Sequence, residues 1–306
     1  MSNDDFIKDI DNAISNTDSR CKFTVEVPEG CDIDIKYLSD EQMEAKRNKS
    51  DAKIKNDKQK CKDSKEMKKL TEILGSFYHF KYEYNDKIFK ELSIIDIGRL
   101  FILSDYVLNS RSRRKIKKKD LAKIWATNQT RANETFKLLL EYGYIKLDKD
   151  GNIMINENIM KVGEGYRVKH PTTYTRVFCE PGIDFYEGLP SKQKKYYGLI
   201  IAILPFVNFK HNVLCSNPTE TDIDKLELLN WKDLCKIVGY DESHSTRLSK
   251  ELIKLKVYDS EVFMYHTGAN GTRITINPSL YYAGDKPEDL EYLFNLFKMN
   301  PKKNKK

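Results

Sequence analysis

From Ser76 onwards the hydrophobic and polar positions follow the spacings of folded elements, and one order of elements occurs twice. Each occurrence begins with a long apolar helix, continues with a second helix, a tight turn and a third helix, and ends in two short strands. Apolar residues recur at intervals of three and four along the helices and at alternate positions along the strands. In the first occurrence the helices are predicted at 92–108, 119–126 and 131–142, and the strands at 145–147 and 153–155.

The second occurrence lies about 110 residues further along, which is the period of a duplicated domain and too long for a solenoid repeat. An Asp-Gly pair between the strands of the first occurrence is typical of a hairpin, and a glycine-containing loop joins those of the second. Its helices are predicted at 192–207, 229–238 and 243–255, and its strands at 262–266 and 273–276. One more strand is predicted at 77–84 and one more helix at 287–297.

The helical spacing also predicts which apolar side chains form the core. In the first long helix they are Ile95, Leu100, Leu103 and Val107. In the third helix of the first occurrence they are Ala132, Phe136, Leu139 and Leu140, and in that of the second they are Leu248, Leu252 and Leu255.

The pattern predicts a mainly α chain with small β wings (an α+β fold), built from two tandem winged helix-turn-helix domains and a charged N-terminal arm. The segment from 41 is rich in lysine and poor in apolar residues, so it is either a solvated lone helix or flexible. It lacks the sustained heptads that a coiled coil needs. The predicted boundaries are an arm with short strands at 1–40, the charged segment at 41–75, winged-helix domains at 76–165 and 190–284, a connector at 166–189, and a helix with a Lys-rich tail at 285–306.

Composition supports folded cores, since 40% of the 306 residues are hydrophobic and 11% aromatic. No apolar run is long enough to span a membrane, and the first residues lack the pattern of a secretory leader. The six cysteines are scattered without a CxxC pair, which favours reduced thiols and a cytoplasmic location. The net charge of +7 is modest, so the positions of the cations decide what they mean.

The third helix of the first occurrence has the polar outer face that a DNA-recognition helix needs. Arg131 has the reach to contact guanine O6 and N7, and Gln129 or Asn133 suits adenine. Thr127, Asn128 and Thr130 are placed to cap the helix, whose N-terminal N–H groups suit a phosphate. The predicted DNA-contacting residues of this helix and its turn are Thr127, Asn128, Gln129, Thr130, Arg131, Asn133 and Lys137. The alternative is an ordinary solvated face.

A dense basic run precedes the first helix-turn-helix and is predicted to neutralise phosphates, the alternative being a solvated loop or linker. Its cations are Arg111, Arg113, Arg114, Lys115, Lys117, Lys118 and Lys119. The outer face of the corresponding helix in the second occurrence offers Ser243, His244, Thr246, Arg247 and Lys250. The hairpins add Lys146, Lys149 and Asn152 in the first occurrence and Asn270, Thr272 and Arg273 in the second, and an arginine there suits a narrow minor groove.

Patterns of catalysis are weak. The chain has no Walker loop, HExxH or GxSxG motif, and His211 with Cys215 lacks a partner pair for zinc. Asp222 and Asp224 are better explained as a helix start than as a nuclease site, and the tyrosine pairs at 196–197 and 281–282 as core packing. We therefore predict a protein that is not an enzyme, with no catalytic residue, no metal and no cofactor.

Two segments, Phe206–Pro218 and Ile274–Gly284, resemble plasmid replication proteins of the RepL type and related regulators of Firmicute phages and plasmids. The second segment carries the shared feature, a wing strand that runs into Asn-Pro and then into aromatic residues and glycine. The resemblance covers 190–284 well and 90–165 loosely. It implies a winged-helix fold and binding to double-stranded DNA, and leaves undetermined whether the output is replication initiation or transcription control. No small-molecule substrate and no membrane partner are predicted. A homodimer, and winged helices that contact protein instead of DNA, remain open.

Overall fold

The computed structural model describes residues 44–45, 48–49, 52–53, 72–73, 75–112, 114–162, 174–268, 271–282, 284 and 287–299. The chain divides into two units, residues 1–58 and 59–306. In the first unit the described residues are helical and exposed. The predicted arm at 1–40, Arg113, Asn270 and the lysines of the C-terminal tail lie outside the described residues.

The first half of the second unit, which we call the first repeat from Ser76 to Val162, alternates helices with short strands. The order is β1 (Phe77–Lys81), α1 (Asn85–Glu91), α2 (Ile94–Val107), α3 (Leu121–Ile124), α4 (Gln129–Glu141), β2 (Ile145–Leu147), β3 (Ile153–Ile155) and β4 (Met160–Lys161). A 3-10 turn, Lys118–Asp120, leads directly into the short helix α3.

The remainder continues in the same style. After β5 (Tyr174–Phe178) and α5 (Cys179–Gly188) comes the second repeat, from Pro190 to Tyr282, with α6 (Lys195–Ile203), α7 (Trp231–Ile237), α8 (Ser245–Leu252), β6 (Lys256–Val257), β7 (Ser260–Glu261), β8 (Phe263–Gly268) and β9 (Gly271–Ile276). A last helix, α9, spans Pro287–Met299, and a 3-10 turn, Glu242–His244, precedes α8.

All strand pairs are antiparallel. One sheet has the order β4-β1-β5, with Tyr78 opposite Val177, and the other sheets are the hairpins β2–β3, β6–β7 and β8–β9. The protein is therefore a mixed α+β fold with small antiparallel sheets, as the sequence predicted at this level. Within the described part of the chain, no helix is long and apolar enough to cross a membrane.

The first long helices of the two repeats, α2 and α6, cross with their backbones in contact. A Cβ atom on Gly198 would lie 1.9 Å from the carbonyl oxygen of Ile94, and one on Gly98 would lie 3.0 Å from the amide nitrogen of Gly198. Only residues without a side chain allow so close an approach. The two repeats consequently share one continuous hydrophobic core.

A buried carboxyl lies in this shared core. Asp105 of α2 accepts a hydrogen bond from the hydroxyl of Tyr197 of α6, and both side chains are buried. Burial, which disfavours the charged form, raises the pKa of Asp105 well above its ordinary value. The two repeats are therefore joined by a polar contact as well as by apolar packing.

The second helix and the turn are built in the same way in both repeats. Residues 119–124 and 232–237 share the pattern Lys-Asp-Leu-x-Lys-Ile. Asp120 accepts the backbone N–H of Lys117 at 2.9 Å, and Asp233 accepts that of Asn230 at 2.9 Å. In both repeats, the aspartate of the pattern therefore caps the start of the helix.

The end of that helix is also the same. The N–H of Thr127 donates to the Ala122 carbonyl at 3.0 Å, and the N–H of Tyr240 donates to the Cys235 carbonyl at 2.8 Å. This is the Schellman arrangement, which needs one residue with positive φ. That residue is Ala126 (φ 47°) in the first repeat and Gly239 (φ 71°) in the second.

In each repeat, a short extended segment before the second helix pairs with one strand of the hairpin. In the first repeat the N–H of Ile153 donates to the Ile116 carbonyl at 2.8 Å. The backbones of Lys117 and Asn152 are paired as in an antiparallel sheet. In the second repeat the N–H of Leu214 donates to the Ile274 carbonyl at 2.9 Å. In both, the segment that precedes the second helix is thus fixed against the hairpin.

The two segments that carried the family resemblance meet at this place in the second repeat. The side-chain amide of Asn212 donates to the carbonyl of Tyr281 at 2.7 Å, and that of Asn277 donates to the Glu261 carbonyl at 2.8 Å. Both asparagines are buried, and Asn212 has a positive φ of 52°. Their amides thus satisfy backbone carbonyls within the repeat, which is a structural role.

Several sequence predictions need correction. Ile95 was predicted as core but is 49% exposed, because it lies in the first turn of α2 before the buried run that starts at Ile97. Leu140 is 36% exposed, since Leu139 occupies the inner side of α4 at that level. Leu100, Leu103, Ala132, Phe136, Leu139, Leu248, Leu252 and Leu255 are buried as predicted, and Val107 is half-buried.

Element bounds also differ in places. The segment interpreted as a connector at 166–189 contains β5, which pairs with β1, and the largely buried helix α5. The strand predicted at 77–84 ends at Lys81, after which the chain turns into a 3-10 turn and α1. The connector was inferred from Pro181 and Gly182, which are typical of loops but lie inside α5 and are buried there.

Candidate nucleic-acid interface

The N-terminal half of α4 presents polar side chains to solvent. Its cap is Asn128, whose side-chain oxygen accepts the N–H of Arg131 at 2.8 Å, as the sequence predicted for one of three candidates. Gln129, Thr130, Arg131 and Lys137 are exposed and Asn133 is half-buried. Arg131 is 66% exposed and pairs with Glu134 at 3.0 Å. An exposed ion pair of this kind is weak, so Arg131 can exchange it for another acceptor at little cost.

Thr127, in the turn before α4, is tied to the core instead. Its hydroxyl accepts a hydrogen bond from the Arg99 guanidinium at 3.3 Å. Arg99 is itself buried, donates to the Thr135 hydroxyl at 2.6 Å and pairs with Asp96 at 3.2 Å. This buried network sets the position of the turn relative to α2 and α4. Sequence reasoning missed it because a lone arginine in an apolar helix has no readable partner.

The basic segment of residues 114–119 is held between α4 and the first hairpin. Ile116 is buried and anchors it, while its cationic side chains are exposed. Lys117 bridges Asn152 of the hairpin, and the ammonium of Lys118 lies 5.3 Å from the ring centroid of Phe136 on α4. The structure thus holds Lys117 against the hairpin and Lys118 against α4.

Arg111 is placed differently. Its guanidinium lies 3.7 Å from the carboxylate of Glu180 on α5, and Glu180 also accepts the backbone N–H of Ser76 at 2.8 Å. This arginine therefore contacts the start of α5. Arg114 lies over the ring of Tyr106, with its guanidinium carbon 5.4 Å from the centroid.

In the first hairpin, Lys146 and Lys149 are exposed but Asn152 is buried. Its side-chain amide donates to Asp148 at 2.8 Å, and this hydrogen bond is the main reason that the pKa of Asp148 is lowered. Asn152 therefore shapes the turn, and its prediction as an outward-facing contact was wrong.

The second repeat shows the same exposure with a different charge balance. Ser243, His244, Thr246, Arg247 and Lys250 are exposed on α8 and the turn before it. Arg247 is 77% exposed and pairs with Glu251 at 3.2 Å. In the hairpin, Arg273 is half-buried opposite His266, and Thr272 lies opposite Thr267.

The segments that precede the second helix have opposite charge in the two repeats. Residues 111–119 contain seven cations and no carboxylate, whereas residues 220–227 contain four carboxylates and one lysine. Asp222 accepts the N–H of Asp224 at 3.1 Å and pairs with Lys225 at 3.4 Å. Hydrogen bonding from that backbone N–H lowers its pKa. Its expected role as the cap of a helix start is confirmed.

The groups considered for chemistry in the sequence are mostly structural. The four tyrosines at 196–197 and 281–282 are buried, which confirms the packing interpretation. His211 contacts the carbonyl of Thr221 at 3.2 Å, and Cys215 is buried. Among the described residues no group of three or more metal-ligating side chains occurs.

No family model, no curated protein and no solved structure matches this chain.

Proposed function

We propose that this chain binds double-stranded DNA through two tandem winged-helix modules, at 76–165 and 190–284. In each repeat a long helix, a short strand segment, two helices with a tight turn, and a hairpin follow one another, and the strand segment pairs with the hairpin. This order of elements is that of a winged helix. In this interpretation α4 and α8 are the recognition helices and the hairpins are the wings.

One observation carries the proposal: the basic segment, with its exposed lysines, is held between the first hairpin and α4. It is fixed there by the backbone pairing of Lys117 with Asn152 and by the contact of Lys118 with α4. Cations near a polar helix suit binding to a duplex, because phosphates flank the major groove that a recognition helix enters. A merely solvated loop needs no such fixed position.

The roles follow from exposure. Arg131, at the exposed start of α4, would contact a guanine, with Gln129 and Asn133 beside it for an adenine. Gln129 donates to the side chain of Asn133 at 3.3 Å, so the two amides are already adjacent. The lysines of the basic segment would hold phosphates and fix the register. No catalytic residue and no cofactor form part of this proposal.

The biological setting remains that of the resemblance, a replication initiator or a transcriptional regulator of a plasmid or phage. A footprint distinguishes them. Direct repeats at an origin favour an initiator, and a palindrome over a promoter favours a regulator.

For the second repeat we propose a role in pairing two chains, with weaker contact to DNA. The observation that favours it is the acidic segment 220–227, which precedes the second helix of this repeat in the chain as the basic segment precedes that of the first. The carboxylates of this segment would repel phosphates that approach it. Sedimentation equilibrium of the full chain tests this proposal, and a monomer at all concentrations up to 100 μM, about the range of weak dimers, would refute it.

The direct test of DNA binding is selection of bound sequences from random duplex DNA across a salt series. We expect an enriched motif and a steep loss of affinity with salt. Arg131→Ala should relax the motif at one position and cost about 1–3 kcal/mol. If the chain binds no DNA even at low salt, the result would instead support winged helices that contact protein.

A further inference from the structure

A groove of about 590 Å³ lies on the first repeat, outside the face of α4. It is bounded by the start of the basic segment, by α3 and by the junction of α5 with α6. Four cations and two carboxylates line it, a net charge of +2 (four minus two): Arg114, Lys115, Lys123, Lys194, Asp120 and Glu187.

Both carboxylates are already engaged. Asp120 accepts the backbone N–H of Lys117 at 2.9 Å, which caps the helix, and Glu187 accepts the hydroxyl of Tyr106. Neither forms an ion pair with Arg114, Lys115 or Lys123 within the part of the chain that the structure describes. Burial lowers the pKa of Lys194 and the carboxylate of Glu187 opposes that shift, so the acids of the groove compensate part of its charge and leave the net +2.

Two of the cations are held in place. Arg114 lies over the Tyr106 ring, and the ammonium of Lys194 donates to the Tyr186 carbonyl at 2.6 Å while lying 4.1 Å from that tyrosine's ring centroid. Lys115 and Lys123 are exposed and can move. A fixed guanidinium with adjacent lysines is an arrangement that suits a phosphate group.

The second repeat provides a matched case. Lys236 occupies the place of Lys123 in the shared Lys-Asp-Leu-x-Lys-Ile pattern. Its ammonium lies 3.2 Å from the carboxylate of Glu242, so its charge is compensated by an ion pair. The same lysine position is thus paired in one repeat and available to a ligand in the other.

We propose that this groove is a phosphate-binding site in which Lys123 and Arg114 are the principal ligands. The phosphate has two sources. One source is the backbone of a duplex held by the first repeat, and this alternative rests on the proposed function. The other source is a soluble phosphate ester such as a nucleotide, and this alternative does not depend on it. The cavity falls within the range of about 300–1,000 Å³ that is typical of small-ligand sites.

The test uses the full chain and the variants Lys123→Ala, Lys123→Arg and Lys236→Ala. Affinity for a fluorescent duplex of random sequence is measured from 50 to 200 mM salt, and ATP binding is measured by calorimetry. If the phosphate is that of DNA, Lys123→Ala lowers the slope of log affinity against log salt by about 0.9, the value for one lost phosphate contact. Lys123→Arg restores the slope, and Lys236→Ala leaves it unchanged.

If the phosphate belongs to a soluble ester, the DNA slope stays the same, while ATP binds the native chain and Lys123→Ala abolishes that binding. The proposal is overturned if Lys123→Ala alters neither measurement, or if Lys236→Ala causes the same loss as Lys123→Ala. A native chain that fails to bind duplex DNA would refute the proposed function by itself. In that case the ATP measurement by itself tests whether the groove binds phosphate.

Discussion

The two repeats share their backbone frame and differ in the charge around it. Asp120 and Asp233 cap the second helix alike, and Ala126 and Gly239 turn the chain alike. Yet the charged residues of the segment before that helix are all cations in one repeat, and four of the five are carboxylates in the other. The frame is made by backbone hydrogen bonds and buried side chains, which tolerate any charge on the surface. Similarity of fold between the repeats therefore does not imply that they bind the same partner.

The largest expected effect concerns the contact that makes the two repeats one body. Gly198→Ala places a methyl group against the carbonyl of Ile94, so α2 and α6 must move apart, at a cost of about 3 kcal/mol in the free energy of unfolding. Urea denaturation measures it. Gly188→Ala is the control, because nothing lies within 4 Å of the added atom. Equal stability of the two variants would show that the repeats are not tightly joined.

The next effect tests the difference in charge. Replacing Lys117, Lys118 and Lys119 by Gln together should weaken DNA binding about 100-fold at physiological salt, because three phosphate contacts are lost. The matched change in the second repeat replaces Lys225, Lys232 and Lys236. We expect it to alter affinity much less, since two of these lysines are already in ion pairs. Fluorescence anisotropy gives both values, and equal losses would refute the assignment of DNA binding to the first repeat.

A smaller effect concerns the buried carboxyl between the repeats. The pKa of Asp105 is raised by burial, so the folded chain binds this proton more tightly than the unfolded chain does. Its contribution to stability is present below the ordinary pKa of the carboxyl and is lost as pH rises through the raised value. Asp105→Asn removes this titration and should make the protein about 2 kcal/mol more stable at pH 7.

The gain from Asp105→Asn should shrink as the pH falls towards 4, which denaturation at a series of pH values will follow. The exposed Asp222→Asn is the control and should show no such gain, because its pKa is lowered and not raised. A variant at 105 that is less stable at every pH would contradict the expected sign.

The smallest effect compares the two turns directly. Ala126 adopts a positive φ that glycine adopts more easily, so Ala126→Gly should stabilise the chain, and Gly239→Ala should destabilise it, each by about 1 kcal/mol or less. Thermal unfolding of both variants and of the double exchange checks this. The two changes should cancel if the turns are equivalent, and the same sign for both would show that they are not.

Much of the frame was predictable from the sequence. The strands at 145–147 and 153–155 were predicted at their exact bounds, because an Asp-Gly turn and short alternating strands fix the register locally. The exposed face of α4 followed from helical spacing. What the sequence did not reveal has two causes. Pro181 and Gly182 of α5 are typical of loops, and Arg99 finds its partners only after α2 and α4 have packed.

The candidate interface was predictable in composition but not in placement. In the sequence the basic run is one block, whereas in the structure Arg111 contacts Glu180 and Lys118 contacts α4. Lys123 was not selected from the sequence, since one lysine on a short helix is unremarkable. Its place in a groove, and the ion pair of its counterpart Lys236, depend on tertiary contacts.

The crossing at Gly98 and Gly198 has a consequence for the spacing of any bound duplex. Two modules joined by touching backbones cannot rotate independently, so a DNA molecule that engages both must present its two sites at one angular phase. Five additional base pairs, about half a turn of the double helix, would carry the second site to the opposite side of the duplex, whereas a full turn would restore its direction at a greater distance.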